Sequence, residues 1–454
     1  MEKMLLSQRE FFNTNETKQI SFRVDQLQKL KQALKESEEL LLEAIYIDFK
    51  KSPHETYTSE FALVYHDINE AVKKIKRWSK PKRVKTDLLN FPARSYIVPE
   101  PLGNVLIIGA WNLPYLTSLA PLVAAIAGGN TVVIKPSEIA KNTSAAMQKV
   151  LSAAFKDNYI HVVEGGIPET TELLNHKFDK IFFTGSTPVG KIVYQAASKK
   201  LIPVTLELGG KSPVFITKSC NLKRTVQRLI WAKFLNAGQA CTAPDFFMVD
   251  KVIKQQFLEL AKQEIIKANY SVENDNYVQI VDRKNYDRVM ALIDPGKVYF
   301  GGKTNEKDRI IEPTILDNVS FDDAIMQEEI FGPILPVIEY DNIDEILGKV
   351  KALPKPLACY IYTESGEEKR KMLNELSFGG GAINESHMHV ANSNLPFGGI
   401  GNSGMGSYHG EFGFKTFSHF KGIIDKPTWF ELRLKYAPYS ATKLKWIKTL
   451  FRLS

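Results

Sequence analysis

Between residues 104 and 183 the chain alternates short, β-branched apolar runs with longer segments of helical composition. No other feature narrows its possible folds as far. The runs are 104–109, 131–135, 160–163 and 180–183, and the segments 116–128, 142–155 and 168–176 separate them. Strands that are apolar along their whole length are covered on both faces, the signature of a parallel sheet wrapped by crossover helices. Such sheets bind ligands in a crevice beyond the carboxyl ends of their strands. Residues able to do chemistry should therefore follow the runs.

A second group of runs, 203–206, 212–216, 246–249 and 357–362, predicts a second α/β unit. Ahead of both, Leu27, Leu30 and Leu34, then Leu40, Leu41, Leu42 and Ile45, recur at helical intervals and read as core-facing stripes without a chemical role. Residues 59–78 predict a further helix, Pro81 interrupts it, and 96–101 reads as extended. Segments 379–381 and 395–406 are glycine-bearing loops, and loops carry sites more often than cores do. The 454 residues leave room for about three domains at roughly 150 residues each.

Composition excludes several classes. With 44% hydrophobic and 24% charged residues the chain is neither disordered, collagen-like nor a coiled coil. Cys220, Cys241 and Cys359 are too few and too far apart for a disulfide framework or a C-x-x-C pair, which favours a reducing compartment. The first ten residues lack the apolar run of a signal peptide, and the stretch 113–129 is broken by Pro114 and Pro121. A cytosolic protein is expected. The formal charge of +8 comes with no zinc-finger or RNP-like motif, so nucleic acid is not expected as a partner. His387 and His389 would point the same way on a strand, but no H-E-x-x-H accompanies them and no metal site is expected. In the tail 443–453, Trp446, Ile447, Leu450 and Leu453 share one helical side opposite Lys445, Lys448 and Arg452. Such a helix suits either peripheral contact with the inner face of a membrane or packing in an apolar groove.

Several segments carry candidate chemistry. Phe183-Thr184-Gly185-Ser186-Thr187-Pro188-Val189-Gly190 places glycines after a strand; alone it reads either as a cofactor loop or as a tight turn. Lys135, ending another run, suits ribose hydroxyls or an adenosine phosphate, with a surface lysine as the plain alternative. Cys241 lies among small residues in Gly238-Gln239-Ala240-Cys241-Thr242-Ala243-Pro244, open to a substrate, although a lone cysteine is more often a small buried hydrophobe. Glu207 stands 34 residues upstream in Glu207-Leu208-Gly209-Gly210-Lys211, and Asn112 follows the first run as a candidate oxyanion donor or a turn residue.

Together these segments resemble the NAD(P)-dependent aldehyde dehydrogenase superfamily. The matching stretches are Trp111-Asn112-Leu113-Pro114, Lys135-Pro136-Ser137-Glu138, Phe183-Thr184-Gly185-Ser186, the Glu207–Lys211 and Gly238–Cys241 segments, Gln327-Glu328-Glu329-Ile330-Phe331-Gly332-Pro333 and Pro396-Phe397-Gly398-Gly399, in the family's order and spacing. Gly404-Met405-Gly406 and Tyr408-His409-Gly410, with the short N-terminus, are similar to the class 3-like branch that acts on fatty and aromatic aldehydes, including bacterial enzymes for long-chain or carotenoid aldehydes.

The resemblance implies an α/β fold with three parts. A Rossmann-like NAD(P)-binding domain takes 1–80 and 98–206, an α/β catalytic domain 207–398, and a small bridging β element that dimerises the family 81–97 and 399–430; residues 431–454 form a basic tail. It implies Cys241 as the nucleophile, Asn112 with the Cys241 N–H as oxyanion donors, and Glu207 as the base that activates water on a thioester. Lys135 and Glu138 fall to the adenosine ribose, Gly185, Ser186 and Gly190 to the pyrophosphate and nicotinamide neighbourhood, Glu329 to the nicotinamide ribose, and Phe331 and Phe397 to the nicotinamide ring. NAD is the implied cofactor; Glu138 disfavours NADP without excluding it. Trp111, Leu113, Tyr115, Leu116 and Phe234 are the expected walls of an apolar pocket for a long-chain, aromatic or polyenal aldehyde. The competing readings are a relative that reduces activated acids and a non-catalytic binding relative. Glu207, usually absent from CoA-acylating members, and the intact Asn112, Glu207 and Cys241 set speak against both.

Overall fold

The computed structural model describes residues 1–453; Ser454 and the Leu453 side chain, both part of the tail reading, lie outside the described residues. The apolar runs form a six-stranded sheet in the spatial order Gly404–Met405, Val204–Glu207, Lys180–Thr184, Asn104–Ile108, Thr131–Lys135, Ile160–Val162. All pairs are parallel except the short Gly404–Met405 strand. Side chains alternate between two cores. Val105, Ile107, Val132 and Ile134 face helices Ile20–Glu36, Glu38–Phe49, Ala62–Trp78, Pro114–Gly128 and Lys141–Ala154. Leu106, Ile108, Val133, Ile181 and Phe183 face Glu2–Asn13, Ile167–Asn175 and Thr187–Ser198. The strands within the sheet are thus buried on both sides, which is why their sequences are apolar without alternation. Leu27, Leu30, Leu34, Leu41 and Ile45 are buried in the first of these cores, as their spacing predicts.

A second, seven-stranded sheet runs Val298–Phe300, Thr314–Leu316, Ile334–Tyr340, Phe246–Asp250, Pro213–Ile216, Ala358–Tyr362, Gly380–Ile383, parallel except at its first pair. The run 203–206, which its pattern groups with this second unit and the family resemblance with the first, pairs with Lys180–Thr184 in the first sheet. Its local pattern says "buried strand" and cannot say which sheet. A third, three-stranded antiparallel sheet joins Lys82–Val84, Arg94–Pro101 and Ser418–Asp425. Of the segment 399–430, Gly404–Met405 belongs to the first sheet and only Ser418–Asp425 to the third.

Helix Ala441–Leu453 lies on the surface against the Leu88–Asn90 turn. Ile447 and Leu450 are half-buried, while Leu444 and Trp446 are exposed. Among the described residues no helix is long and apolar enough to cross a membrane.

Candidate active site

In the first sheet the chain runs outward from Asn104–Ile108 through Thr131–Lys135 to Ile160–Val162, then crosses back to Lys180–Thr184 on the other side of its starting strand. The reversal opens a crevice at the carboxyl ends of those two strands. Gly109 to Asn112 leave one of them, and Gly185 and Ser186 leave the other.

Cys241 enters from the second unit on a loop held by main-chain hydrogen bonds. Helix Leu222–Phe234 stops at three successive left-handed residues, Asn236 (φ 53°), Ala237 (φ 50°) and Gly238 (φ 72°). At Gly238 a Cβ would strike the Gly332 carbonyl, so only glycine fits. Asn236 donates its N–H to Glu55 Oε1 (2.7 Å) and its side-chain amide to the carbonyls of Asn112 and Gln239 (both 3.0 Å). Gln239 donates to the Asn236 and Gln279 carbonyls and accepts from the Val281 N–H. These bonds meet the polar groups of a turn that burial would otherwise leave unpaired. The Asn112 side-chain amide donates to the Gln239 carbonyl at 3.0 Å, which brings Asn112 onto the cysteine loop and leaves one of its two amide hydrogens.

The Cys241 thiol is only partly exposed. Burial first, then the nearby Glu329 and Glu207 carboxylates, push its pKa up to about 12 against the N–H groups of Cys241 and Thr242, which favour the ionised sulfur. The three sequence-predicted groups Cys241, Glu207 and Glu329 therefore share one electrostatic neighbourhood. Glu207 ends its strand, opposite Thr184 on one side and Gly404 on the other. Its side chain is 3% exposed, and neither carboxylate oxygen has a protein partner. Burial alone lifts its pKa well above the ordinary carboxylate range. A buried carboxyl that the protein leaves unpaired is suited to exchange protons with a small molecule.

The Glu207-Leu208-Gly209-Gly210-Lys211 motif has a mechanical reading. A Cβ on Gly209 would overlap the Glu329 carboxylate, and the Gly210 N–H bonds that same group. Lys211 Nζ donates to Asp245 Oδ2 (2.5 Å) and to the carbonyls of Ile325 and Glu328 (both 2.9 Å), while Asp245 Oδ1 accepts from the Ile330 N–H (2.9 Å). Lys211 and Asp245 thus fasten the segment that carries Glu329. Burial and then Asp245 push the Glu329 pKa up to about 8.

Lys135 is buried at the end of its strand, its pKa lowered by burial, with Nζ 2.6 Å from the Pro136 carbonyl and 3.5 Å from Glu138 Oε2. Ser186 precedes helix Thr187–Ser198, whose first N–H groups point back at the crevice mouth. Gly190 has a different duty from its neighbours: a Cβ there would press on Leu208, so the residue lets the helix pack close to the strand end. Phe331 sits edge-on to Trp111 (5.3 Å), and Phe397 pairs its backbone with Tyr408 and packs against His409 and His389.

The expected pocket walls divide. Trp111 and Leu113 lie half-buried at the margin of the same apolar cluster as Cys241 and Val390. Tyr115 is fully buried, stacked on Phe61 at 4.9 Å with its hydroxyl on the Leu41 carbonyl. Leu116 is buried in the same core, and Phe234 belongs to the core of the second sheet against Tyr270. These three are packing residues, because helical position alone does not tell a pocket face from a core face. His387 and His389, expected to be parallel on a strand, lie in a turn: the His387 ring meets Thr242, the His389 ring meets Tyr360 and Phe397. Sequence reading passed over Glu55, Asn236, Asp245 and Tyr360, and weighed His387 only as a metal ligand. The one available signal was Asn236-Ala237-Gly238, a composition that accepts left-handed backbone.

A nucleotide-type crevice joined to a thiol and an unpaired buried carboxyl defines a cysteine-dependent dehydrogenase. Residues 2–423 match the aldehyde dehydrogenase family, and the chain belongs to it. It is 46% identical to the 4,4'-diaponeurosporen-aldehyde dehydrogenase of Staphylococcus aureus, over 100% of this chain and 99% of that one. It is 40% identical to a dog aldehyde dehydrogenase named dimeric and NADP-preferring, over 94% of this chain and 95% of the relative. A solved structure of the substrate-bound state of a Staphylococcus aureus AldH superposes with a TM-score of 0.97 at 45% identity, covering 99% of both chains. The protein is an NAD(P)-dependent enzyme that oxidises an aldehyde to the carboxylate by the family's cysteine and glutamate chemistry. The crevice fits such a cofactor: it offers a buried lysine, a twelve-residue helix aimed at its mouth, and a carboxylate in a glycine cradle.

Proposed function

We propose that Cys241 is the nucleophile, Asn112 the oxyanion donor and Glu207 the base of this enzyme, acting on an apolar long-chain or polyenal aldehyde. The observation that carries the reading is the buried Glu207 carboxyl, unpaired by protein and electrostatically coupled to the Cys241 thiol. Cys241 Sγ attacks the carbonyl carbon and the C–O π pair moves to oxygen, where the Asn112 amide and the Cys241 N–H receive the charge. As the C=O bond re-forms to give the thioester, this carbon would lose its hydride to the acceptor that a bound nicotinamide supplies. Glu207 then takes a proton from water, whose oxygen attacks the resulting thioester carbon; the C–S bond breaks and the thiolate returns. A carboxyl whose pKa burial raises is a stronger base than an exposed one, which suits this step. Lys135, Glu138, Gly185, Ser186, Glu329, Phe331 and Phe397 would hold the cofactor, as NAD or NADP.

The substrate class rests on the half-buried Trp111, Leu113 and Val390, which share with Cys241 the margin of one apolar cluster, and on the relative named for 4,4'-diaponeurosporen-aldehyde. The test is NAD(P)H formation against a chain-length series of aldehydes, with Cys241→Ala beside the native protein. Activity that rises with chain length and vanishes in the variant is expected; preference for short charged semialdehydes overturns the substrate class.

Two further assignments follow. Ser418–Asp425 is an eight-residue edge strand with Phe420, Ile423 and Ile424 exposed, a surface that a second copy would cover. With the relative named dimeric, this supports a homodimer, and light scattering that reads a monomer would remove it. The tail supports peripheral contact with an anionic membrane face. Residues 432–454 hold six basic and no acidic residues, leaving only +2 of the formal +8 to residues 1–431. Leu444 and Trp446 stand exposed among those charges. Sedimentation of the full chain with anionic but not zwitterionic vesicles is expected, and its absence refutes the contact.

A further inference from the structure

Thr242, the residue after the cysteine, is gripped at two points by side chains from elsewhere in the second unit. Its hydroxyl lies 2.8 Å from His387 Nδ1, and its carbonyl accepts from the Tyr360 hydroxyl at 2.6 Å. The His387 N–H points at that same Tyr360 oxygen at 3.4 Å, closing a ring of contacts. The far side of the imidazole, Nε2, is 2.9 Å from the Ala232 carbonyl.

These contacts fix every hydrogen. A carbonyl oxygen only accepts, so Nε2 carries the proton; a neutral ring then leaves Nδ1 a bare lone pair, and the Thr242 hydroxyl must donate to it. Burial holds the His387 pKa down at about 4, so the ring stays neutral where the enzyme works. His387 also adopts φ +61°, a left-handed conformation that a residue with a ring keeps only when its surroundings impose it. The grip draws on three separate elements: helix Leu222–Phe234, the strand Ala358–Tyr362 and the turn after Gly380–Ile383. It ends on the residue whose backbone N–H, with that of Cys241, favours the ionised sulfur.

We propose that His387 and Tyr360 are positioning residues which, through Thr242, keep that N–H on the Cys241 sulfur and so stabilise the attacking thiolate. The inference rests on the reading of Cys241 as nucleophile. Its effect is nevertheless legible on the thiol itself, without turnover. The charged groups that face the sulfur are Glu329 and Glu207, and those that face the imidazole are Lys233 and His389; none is altered in the variants below.

The experiment measures the pH dependence of Cys241 alkylation by iodoacetamide, read on the Cys241 peptide by mass spectrometry. Native enzyme, Thr242→Val, Thr242→Ser and Tyr360→Phe are compared, each checked for native circular dichroism. Loss of either contact is expected to slow alkylation about tenfold at any given pH below the midpoint, the loss of thiolate that one pH unit represents. The NAD(P)H burst should slow in step while KM for the cofactor holds, and Thr242→Ser should restore both. Native alkylation rates in folded Thr242→Val and Tyr360→Phe overturn the proposal, as does a Thr242→Ser enzyme that behaves like the valine variant. If Thr242→Val does not fold, Tyr360→Phe decides alone. A Cys241→Ala enzyme that still turns over would instead overturn the nucleophile, a separate result.

Discussion

Lys51 Nζ lies 2.8 Å from Glu60 Oε1 with both side chains fully buried, and the other oxygen of Glu60 accepts from the Tyr115 and Leu116 N–H groups. One carboxylate thus neutralises a buried ammonium and caps helix Pro114–Gly128, which begins two residues after Asn112. Removing one partner of such a pair leaves an uncompensated buried charge. Glu60→Gln is expected to cost about 3–5 kcal/mol, read as a lower denaturation midpoint in urea. The double variant Lys51→Met/Glu60→Gln should recover part of that loss. Equal stability of the single and double variants would show that the pair is not coupled.

Glu207→Gln should separate the two halves of the reaction. Acylation requires only Cys241 and the oxyanion donors, so one equivalent of NAD(P)H is expected in a burst. Steady turnover should then fall by about 10²–10⁴-fold, the usual worth of a general base. Because burial raises the Glu207 pKa, the native deacylation rate should climb as pH rises through that value and Glu207 ionises. The variant should lack this limb. A variant that keeps it identifies another base.

Gly209→Ala tests the cradle of Glu329. The added methyl overlaps the Glu329 carboxylate and must displace it, since Lys211 and Asp245 tether the backbone on either side. KM for the cofactor is expected to rise at least about tenfold, the equivalent of about 1.4 kcal/mol, with the burst at saturating cofactor largely kept. An unchanged KM would show that Glu329 does not meet the cofactor.

His387, His389 and His409 are all held at about 4 by burial, against an ordinary 6.5. Between those values the unfolded chain binds more protons than the folded one, so stability is full above pH 6.5 and declines as pH falls toward 4. Each ring contributes up to about 1.4 kcal/mol per pH unit in that window. Neither ring nitrogen of His389 has a partner, and the ring sits between Tyr360 and Phe397. His389→Phe should therefore raise stability at pH 5 more than at pH 7. Urea midpoints at the two pH values measure it, and an equal gain at both would exclude His389 as a titrating group.

Legibility followed locality. The parallel strands were plain because strands covered on both faces must be apolar throughout, as Val105 to Ile108 are. The pocket walls were not: Tyr115 and Phe234 have the composition of either a pocket or a core, and only their neighbours Phe61 and Tyr270 decide. The run 203–206 was grouped by pattern with the second unit for the same reason, since a strand's pattern does not name its partner, and only the family resemblance put it with the first. Glu55, Asp245 and Lys51 passed unnoticed because a charged residue reads as surface until something buries it.

By itself, the sequence determined the alternating α/β architecture, the crevice end at which chemistry would lie, and the motifs that carry Asn112, Glu207, Glu329 and Cys241. Those properties live in short windows, where periodicity, turn chemistry and motif are complete. Tertiary structure alone decided that Glu207 is unpaired, that Asn112 reaches the cysteine loop through Gln239, and that Thr242 is gripped by His387 and Tyr360. The physical reason is that burial, desolvation and hydrogen bonding join residues more than a hundred positions apart, and no window of the sequence contains both ends of such a contact.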